Sequence, residues 1–142
     1  MKKTFLFVLA GATLSLAACA QKLKESTVPV AVKQAFSSKF PGVTGTWEKE
    51  GGDYEVNFKK DGKSMSQVIN TQGTVTETET DIPVSELSEK IQTYLQQHYK
   101  GAKVKEAAKI EKSDGKILFE AEVNGKDVLF DAEGNFVKEA KD

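Results

Sequence analysis

The chain has 142 residues, a formal net charge of −1 and 39% hydrophobic residues, which suits one globular domain with a core of ordinary size. Its 20 basic residues are all lysine and are interspersed with 21 acidic residues. A nucleic-acid-binding protein needs a surface patch of net positive charge and favours arginine, so we expect no nucleic acid among the partners.

The first eighteen residues have the pattern of an export signal. Lys2 and Lys3 give a positively charged start, and an apolar run over residues 5–16 is too short to cross a bilayer comfortably. Small residues follow at Ala17 and Ala18. We interpret residues 1–18 as a signal peptide.

Cys19 is the only cysteine of the chain, so it has no partner for a disulfide within the chain. The stretch LAAC at residues 16–19 resembles the lipobox of bacterial lipoproteins, in which the cysteine is acylated and begins the mature chain. The resemblance implies lipidation of Cys19, a tether over residues 19–27, and anchoring in the bacterial cell envelope, on the periplasmic side or at the outer membrane. The alternative is an ordinary export signal with an unmodified cysteine.

The next segment, residues 28–80, combines a helical pattern with strand patterns. Val32, Phe36 and Phe40 recur every four residues and form one apolar stripe, which predicts a helix that packs on a sheet. Alternation then predicts a strand with Tyr54, Val56 and Phe58 on its buried side. The same alternation predicts that four positions on the other side of the sheet face water, namely Glu55, Asn57, Lys59 and Ser66.

Residues 81–142 repeat this order. A second apolar stripe predicts a helix through Val84, Leu87, Ile91, Leu95 and Tyr99. Alternation then predicts a strand with Ile117, Phe119, Ala121 and Val123 facing the helix. Matching turns, Asp61-Gly62 and Asn124-Gly125, predict a hairpin in each half. We therefore expect an α+β fold of two tandem helix-then-antiparallel-sheet units, residues 28–80 and 81–142, with both helices on one face of a shared curved sheet.

These residues carry a family resemblance. A helix that opens with a hydrophobic-proline pair and ends near Phe40-Pro41-Gly42, then Trp47, then residues 53–56 (DYEV) and a glycine turn, resembles the PepSY-like domain of Bacteroidetes envelope proteins, which is also described as similar to the beta-lactamase inhibitor protein. The second half departs from the pattern, with Lys100 where the proline would stand. The resemblance implies binding or restraint of another protein, peptidases among them, and brings no set of catalytic residues.

Few residues of the chain suit catalysis or metal binding. His98 is the only histidine, and we expect it at the surface of the second helix or at the edge of the core. The segment at residues 131–135 (DAEGN) lacks the ligand spacing of an EF-hand, so a hairpin turn is the better interpretation. We predict no enzyme activity, no metal site and no cofactor.

Three residues are candidates for contact with a partner. Trp47 is of a type that is enriched in binding hot spots, although an aromatic side chain packed under the first helix is the alternative. Alternation places Leu118 on the face of the sheet away from the helices, together with either Phe130 or Leu129 from the facing strand. Of these two, Phe130 is our candidate for this open face, beside Leu118.

The function expected from the sequence is a non-enzymatic, lipid-anchored binding module of the cell envelope that restrains or inhibits a partner protein, a peptide or a peptidase. The membrane would be contacted through the lipid alone. The alternative is a carrier of a small molecule or lipid, which would need a concave apolar pocket.

Overall fold

The computed structural model describes residues 21–141, which form one antiparallel sheet with two short helices. The nine strands lie in the sheet in their order along the chain, so each pairs with its neighbours in sequence. The strands are β1 (Gln21–Leu23), β2 (Gly45–Glu50), β3 (Asp53–Lys60), β4 (Lys63–Ile69), β5 (Val75–Ile82), β6 (Val104–Lys112), β7 (Ile117–Val123), β8 (Lys126–Asp131) and β9 (Phe136–Lys141). The helices are α1 (Val30–Lys39) and α2 (Glu89–His98), each preceded by a turn of 3-10 helix, at Glu25–Thr27 and Val84–Glu86.

Two tight hairpins confirm the turns predicted from the sequence. Asp61 and Gly62 join β3 to β4 with φ angles of 51° and 77°, and Asn124 and Gly125 join β7 to β8 with φ angles of 55° and 70°. Positive φ at both central residues is the geometry of a type I′ turn, whose twist matches that of the flanking strands. These turns set the register of both hairpins.

The segment at residues 131–135 is a hairpin turn, as the sequence predicted. The Oδ1 atom of Asp131 accepts hydrogen bonds from two backbone N–H groups of its own turn, at 2.8 and 3.0 Å. The side chain and backbone of Asn135 donate to Asp131 and hold the pKa of its carboxyl below the usual value. Asn70 plays the same part between β4 and β5, where its Oδ1 accepts two backbone N–H groups at 2.9 and 3.0 Å.

Both helices lie on the same face of the sheet. The stripe of α1 packs in one apolar cluster of eight buried residues, which are Val28, Val32, Phe36, Phe40, Trp47, Val56, Phe58 and Ile69. The stripe of α2 packs in a second, formed by Leu87, Ile91, Leu95, Ala107, Ala121, Val123, Val128 and Phe130. Cross-strand pairing runs from Met65 through Thr80 and Lys109 to Phe119, which links the edges of the two clusters along one face.

The prediction of an α+β fold built from two helix-then-sheet units is wrong. β5 and β6 would have belonged to different units, yet they pair over six positions, from Glu77 opposite Lys112 to Ile82 opposite Ala107. Of the described residues, 49% are in strands and only 22% are helical, so the fold is one nine-stranded sheet with two short helices and not two helix-then-sheet units. The second helix is also shorter than its apolar stripe, because Val84 lies in the 3-10 turn.

The segment predicted as a tether contains ordered structure. Residues 21–23 form β1, which pairs with β2 at the edge of the sheet, and Leu23 packs against the first apolar cluster. The predicted signal peptide and Cys19 lie outside the described residues. Within residues 21–141, no helix combines the length and the apolar composition needed to cross a bilayer.

Candidate functional site

The face of the sheet turned away from both helices is the candidate site, and we call it the open face. It has two parts. The apolar part is formed by Ile110, Leu118 and Leu129 on the strands β6 to β8. The acidic part is formed by Glu48, Glu50 and Glu55 at the other end of the sheet, on β2 and β3.

The apolar part is a separate hydrophobic cluster, not an extension of the core under the helices. Leu118 lies directly opposite Ile110 on the neighbouring strand, and the three side chains are 3–8% exposed. They contribute to the lining of a groove of about 480 Å³ that extends from β5 to β9. This location confirms the expected apolar spot on the second half of the open face.

Charged side chains of both signs surround the apolar part. Those that line the groove are Glu77, Lys112, Asp114, Lys116, Glu120, Asp127 and Lys138. Lys112 donates a hydrogen bond to the buried carboxylate of Glu77, so this pair is fixed at one side of the groove. An apolar floor with a charged rim is the arrangement found at many protein interfaces.

The prediction that Phe130 lies on the open face is wrong by one residue. Phe130 is fully buried on the helix side, where its ring meets that of Tyr94 edge to face at 5.4 Å. It lies opposite Phe119, whereas Leu129 lies opposite Glu120 and points to the open face. Leu129, the alternative that the sequence left open, therefore takes this place beside Leu118.

Trp47 lies under the first helix. It is 4% exposed, and its ring meets that of Phe36 edge to face at 5.7 Å. This is the packing that was the alternative to a recognition role. Because the side chain faces the helix, Trp47 and Leu118 lie on opposite faces of the sheet and do not form one site.

Glu55 is the most unusual residue of the acidic part. Its side chain is on β3 and is 1% exposed, yet neither carboxylate oxygen has a hydrogen-bond partner of good geometry. The pKa of Glu55 is raised from its ordinary value of 4.5 to about 8. Burial is the largest cause, the negative charges of Glu50 and Glu48 contribute to the rise, and a hydrogen bond with Ser66 acts in the opposite direction. At neutral pH the carboxyl therefore holds a proton for most of the time.

The expectation that this half of the open face is wet is wrong at two of the four positions, since Lys59 is exposed and Asn57 is half-buried but the other two are buried. Glu55 and Ser66 are both buried, and so are Glu77 and Glu79 on β5. Sequence reasoning missed Glu55 because alternation only states on which side of a strand a residue lies. Alternation does not predict whether other side chains cover that side and bury it.

His98 lies at the end of α2, where it is exposed and its ring stacks on that of Tyr94 at 4.0 Å. This agrees with the expected position at the helix surface. Among residues 21–141, no group of three or more His, Cys, Asp or Glu residues is arranged to hold a metal ion.

Several solved structures share this fold. A Bacteroides eggerthii protein described as periplasmic has a TM-score of 0.71 at 14% identity, covering 79% of this chain and 87% of its own. A Bacteroides uniformis protein has a TM-score of 0.70 at 17% identity, with coverage of 78% and 87%. A BLIP-like protein of Bacteroides fragilis has a TM-score of 0.58 at 21% identity, with coverage of 77% and 82%.

Comparison of the sequence with family models shows the family of this chain. No protein of curated function matches this chain. One family model matches it over two segments, residues 14–76 and 69–138, which together span most of the described structure. The chain belongs to the family described as beta-lactamase-inhibitor-like and PepSY-like.

Proposed function

We propose that this protein is a non-enzymatic binding module of the bacterial cell envelope, which restrains or inhibits a partner protein or peptidase through the open face. The observation that carries the proposal is the apolar part of that face, where Ile110, Leu118 and Leu129 line a groove on the side away from the core helices. The family's likeness to an inhibitor protein supports this class of function.

The form of the groove favours a protein segment as the occupant. Side chains of both charges stand beside the apolar residues, so an incoming chain would meet a hydrophobic contact with a polar rim. A lipid carrier is the alternative, since a volume of about 480 Å³ lies within the range of small-molecule sites. A lipid would have to place its acyl chain among seven charged residues, which is unfavourable.

The cell envelope is the location that best fits the sequence and the relatives. Structures of the same fold belong to proteins described as periplasmic, and the first nineteen residues resemble a lipoprotein signal with its cysteine. Two or more acyl chains would hold the protein stably at a membrane, at about 0.8 kcal/mol for each buried CH₂ group.

Removal of the lipidation site should release the protein. We expect Cys19→Ala to move the protein from the membrane fraction to the soluble envelope fraction, because the acyl chains are the proposed attachment. Cell fractionation followed by immunoblotting measures this, with Ser26→Ala as a control that leaves the cysteine in place. If the Cys19 variant stays in the membrane pellet after a high-salt wash, the anchor is not a lipid on this residue.

Changes to the apolar part should weaken partner capture. We expect the double substitution Leu118→Ser with Leu129→Ser to reduce the crosslinked partner band in intact cells at least about tenfold, because interface energy is concentrated in a few central apolar residues. Val30→Ser is the matched control, since Val30 is 65% exposed and lies on the helix side.

Circular dichroism must show that the double variant is folded. A folded variant that still captures its partner would exclude this surface as the site. If the wild type captures no protein but co-purifies with a lipid, and the double variant loses that lipid, the result would support the carrier alternative.

A further inference from the structure

We propose that the cleft between α2 and the turn that leads into β9 binds a carbohydrate, an uncharged oligosaccharide with one sugar ring against the side chain of Phe136. The cleft has a volume of about 550 Å³, which is in the range of small-molecule sites. It lies beside α2, on the helix side of the sheet. None of the residues that line it lines the groove of the open face, so the two sites are independent.

The first observation is an aromatic ring that is open to this cleft. Phe136 is 42% exposed, and its ring is stacked on that of Tyr94 at 5.2 Å and within 10° of parallel. The ring is therefore held on one side and open to the cleft on the other. The face of an aromatic ring carries partial negative charge, which attracts the weakly polarised C–H groups on the flat side of a sugar ring.

The packing around Tyr94 keeps this ring in place. Tyr94 stacks on His98 at 4.0 Å and meets the buried ring of Phe130 edge to face at 5.4 Å. The rings of Phe130 and Phe136 are themselves 6.4 Å apart. Because these contacts already order the side chain, a ligand that binds to it pays little conformational entropy.

The second observation is a set of polar side chains around the ring. Thr93 and Gln97 are four residues apart on α2, line the cleft and are exposed. On the other side of the cleft, Asn135 donates a hydrogen bond to Asp131 at 2.9 Å and accepts one from Lys90. Hydroxyl and amide side chains offer both donors and acceptors, which is what the hydroxyl groups of a sugar require.

The charges of the cleft favour a neutral ligand. The charged residues that line it are Glu89 and Lys90, which have opposite signs. A lipid chain would remove the polar side chains from water without replacing their hydrogen bonds, which costs free energy. A sugar has an apolar face for the ring and hydroxyl groups for the polar side chains, so it suits both parts of the cleft.

NMR titration of the purified protein, observed through its backbone amide signals, tests this inference. The probes are maltotriose, cellotriose and tri-N-acetylchitotriose, with a blocked Ala-Phe-Ala peptide to represent a protein ligand. We expect at least one of the sugars to bind with a Kd of about 1 mM or below and to shift the signals of Thr93, Gln97 and Asn135. The peptide should bind more weakly at these residues.

Two substitutions in adjacent residues separate the ring from general exposure. Phe136→Ala should weaken sugar binding at least about tenfold, because it removes the aromatic surface, whereas Phe136→Tyr should bind like the wild type. Val137→Ala is the matched control, since Val137 is 41% exposed but lines the groove of the open face. Gln97→Ala should weaken binding about threefold, because it removes one hydrogen-bonding group from an exposed position.

Three results would overturn the inference. They are no binding of any of the three sugars at about 20 mM, equal weakening by Phe136→Ala and Val137→Ala, and tighter binding of the peptide than of every sugar at the same residues. Should Phe136→Ala fail to fold, Gln97→Ala decides the question, and unchanged sugar binding by that variant would overturn the inference.

Discussion

Replacement of Phe36 by alanine is expected to lower the free energy of unfolding by about 3 to 5 kcal/mol, because it opens a cavity in the first apolar cluster. Phe36 lies in the middle of α1 and is 4% exposed. Its ring centroid lies 4.9 Å from that of Phe58 and 5.7 Å from those of Phe40 and Trp47. The removed ring therefore leaves three aromatic partners without their common neighbour.

Denaturant unfolding followed by circular dichroism measures this loss. Val30→Ala is the matched control on the same helix, since Val30 is 65% exposed and its loss should change the free energy of unfolding by less than about 0.5 kcal/mol. A loss below about 1 kcal/mol for Phe36→Ala would contradict the packing of α1 on the sheet. The expected loss is a large share of the about 5 to 15 kcal/mol that stabilises a typical domain.

Local features of this fold could be read from the sequence. The stripe Val32, Phe36 and Phe40 predicted α1 correctly, because residues four apart share a helix face and the three side chains pack in one cluster. The two tight hairpins were predictable for a similar reason, since an Asp-Gly or Asn-Gly pair favours the φ angles of a type I′ turn. Both signals arise from residues a few positions apart.

Local patterns could not show how the two halves of the sheet join. Whether β5 pairs with β6 depends on how α2 returns the chain to the edge of the sheet, and no local pattern in either strand states this. β1 was missed because three residues are too short to show alternation, and Leu23 is its only apolar residue. The conformation of this segment is set by its pairing with β2 and not by its own strand propensity.

The sequence contained information that would have placed Phe130 correctly, although alternation alone did not use it. Val128, Leu129 and Phe130 are all apolar, so the pattern could not decide which side of β8 faced the helix. The two-residue turn at Asn124-Gly125 decides it, because it pairs Val123 with Lys126 and therefore Phe119 with Phe130. Phe130 must then share the helix side with Phe119.

A glycine turn likewise fixes the neighbours of Glu55. Gly51-Gly52 joins β2 to β3 so that Glu50 lies opposite Asp53, and Glu48 therefore lies opposite Glu55. Counting residues outward from this turn could have shown that the carboxylates of Glu48 and Glu55 lie on the same face of the sheet. The sequence could not show that Glu55 is also buried, because burial depends on the shape of the whole sheet.

The stability of the protein is expected to fall as the pH rises from about 4.5 to about 8, because of Glu55. The folded state holds the pKa of this carboxyl near 8, whereas the unfolded chain has the ordinary value of 4.5. Below pH 4.5 the proton is bound in both states and the group has no effect. Between the two values only the folded state keeps the proton, so each rising pH unit costs up to about 1.4 kcal/mol until the folded carboxyl also ionises.

We expect a loss of about 3 kcal/mol between pH 5 and pH 9, less than the full shift would give, because water and side-chain movement screen the charges once Glu55 ionises. The negative charges of Glu48 and Glu50 on β2 raise the pKa of Glu55, and the hydroxyl of Ser66 on β4 lowers it. Urea unfolding at both pH values measures the loss, with Glu55→Gln as the variant that cannot ionise. The difference between the two proteins isolates Glu55 from every other titrating group. A wild type that loses no more stability than Glu55→Gln would show that this carboxyl ionises normally.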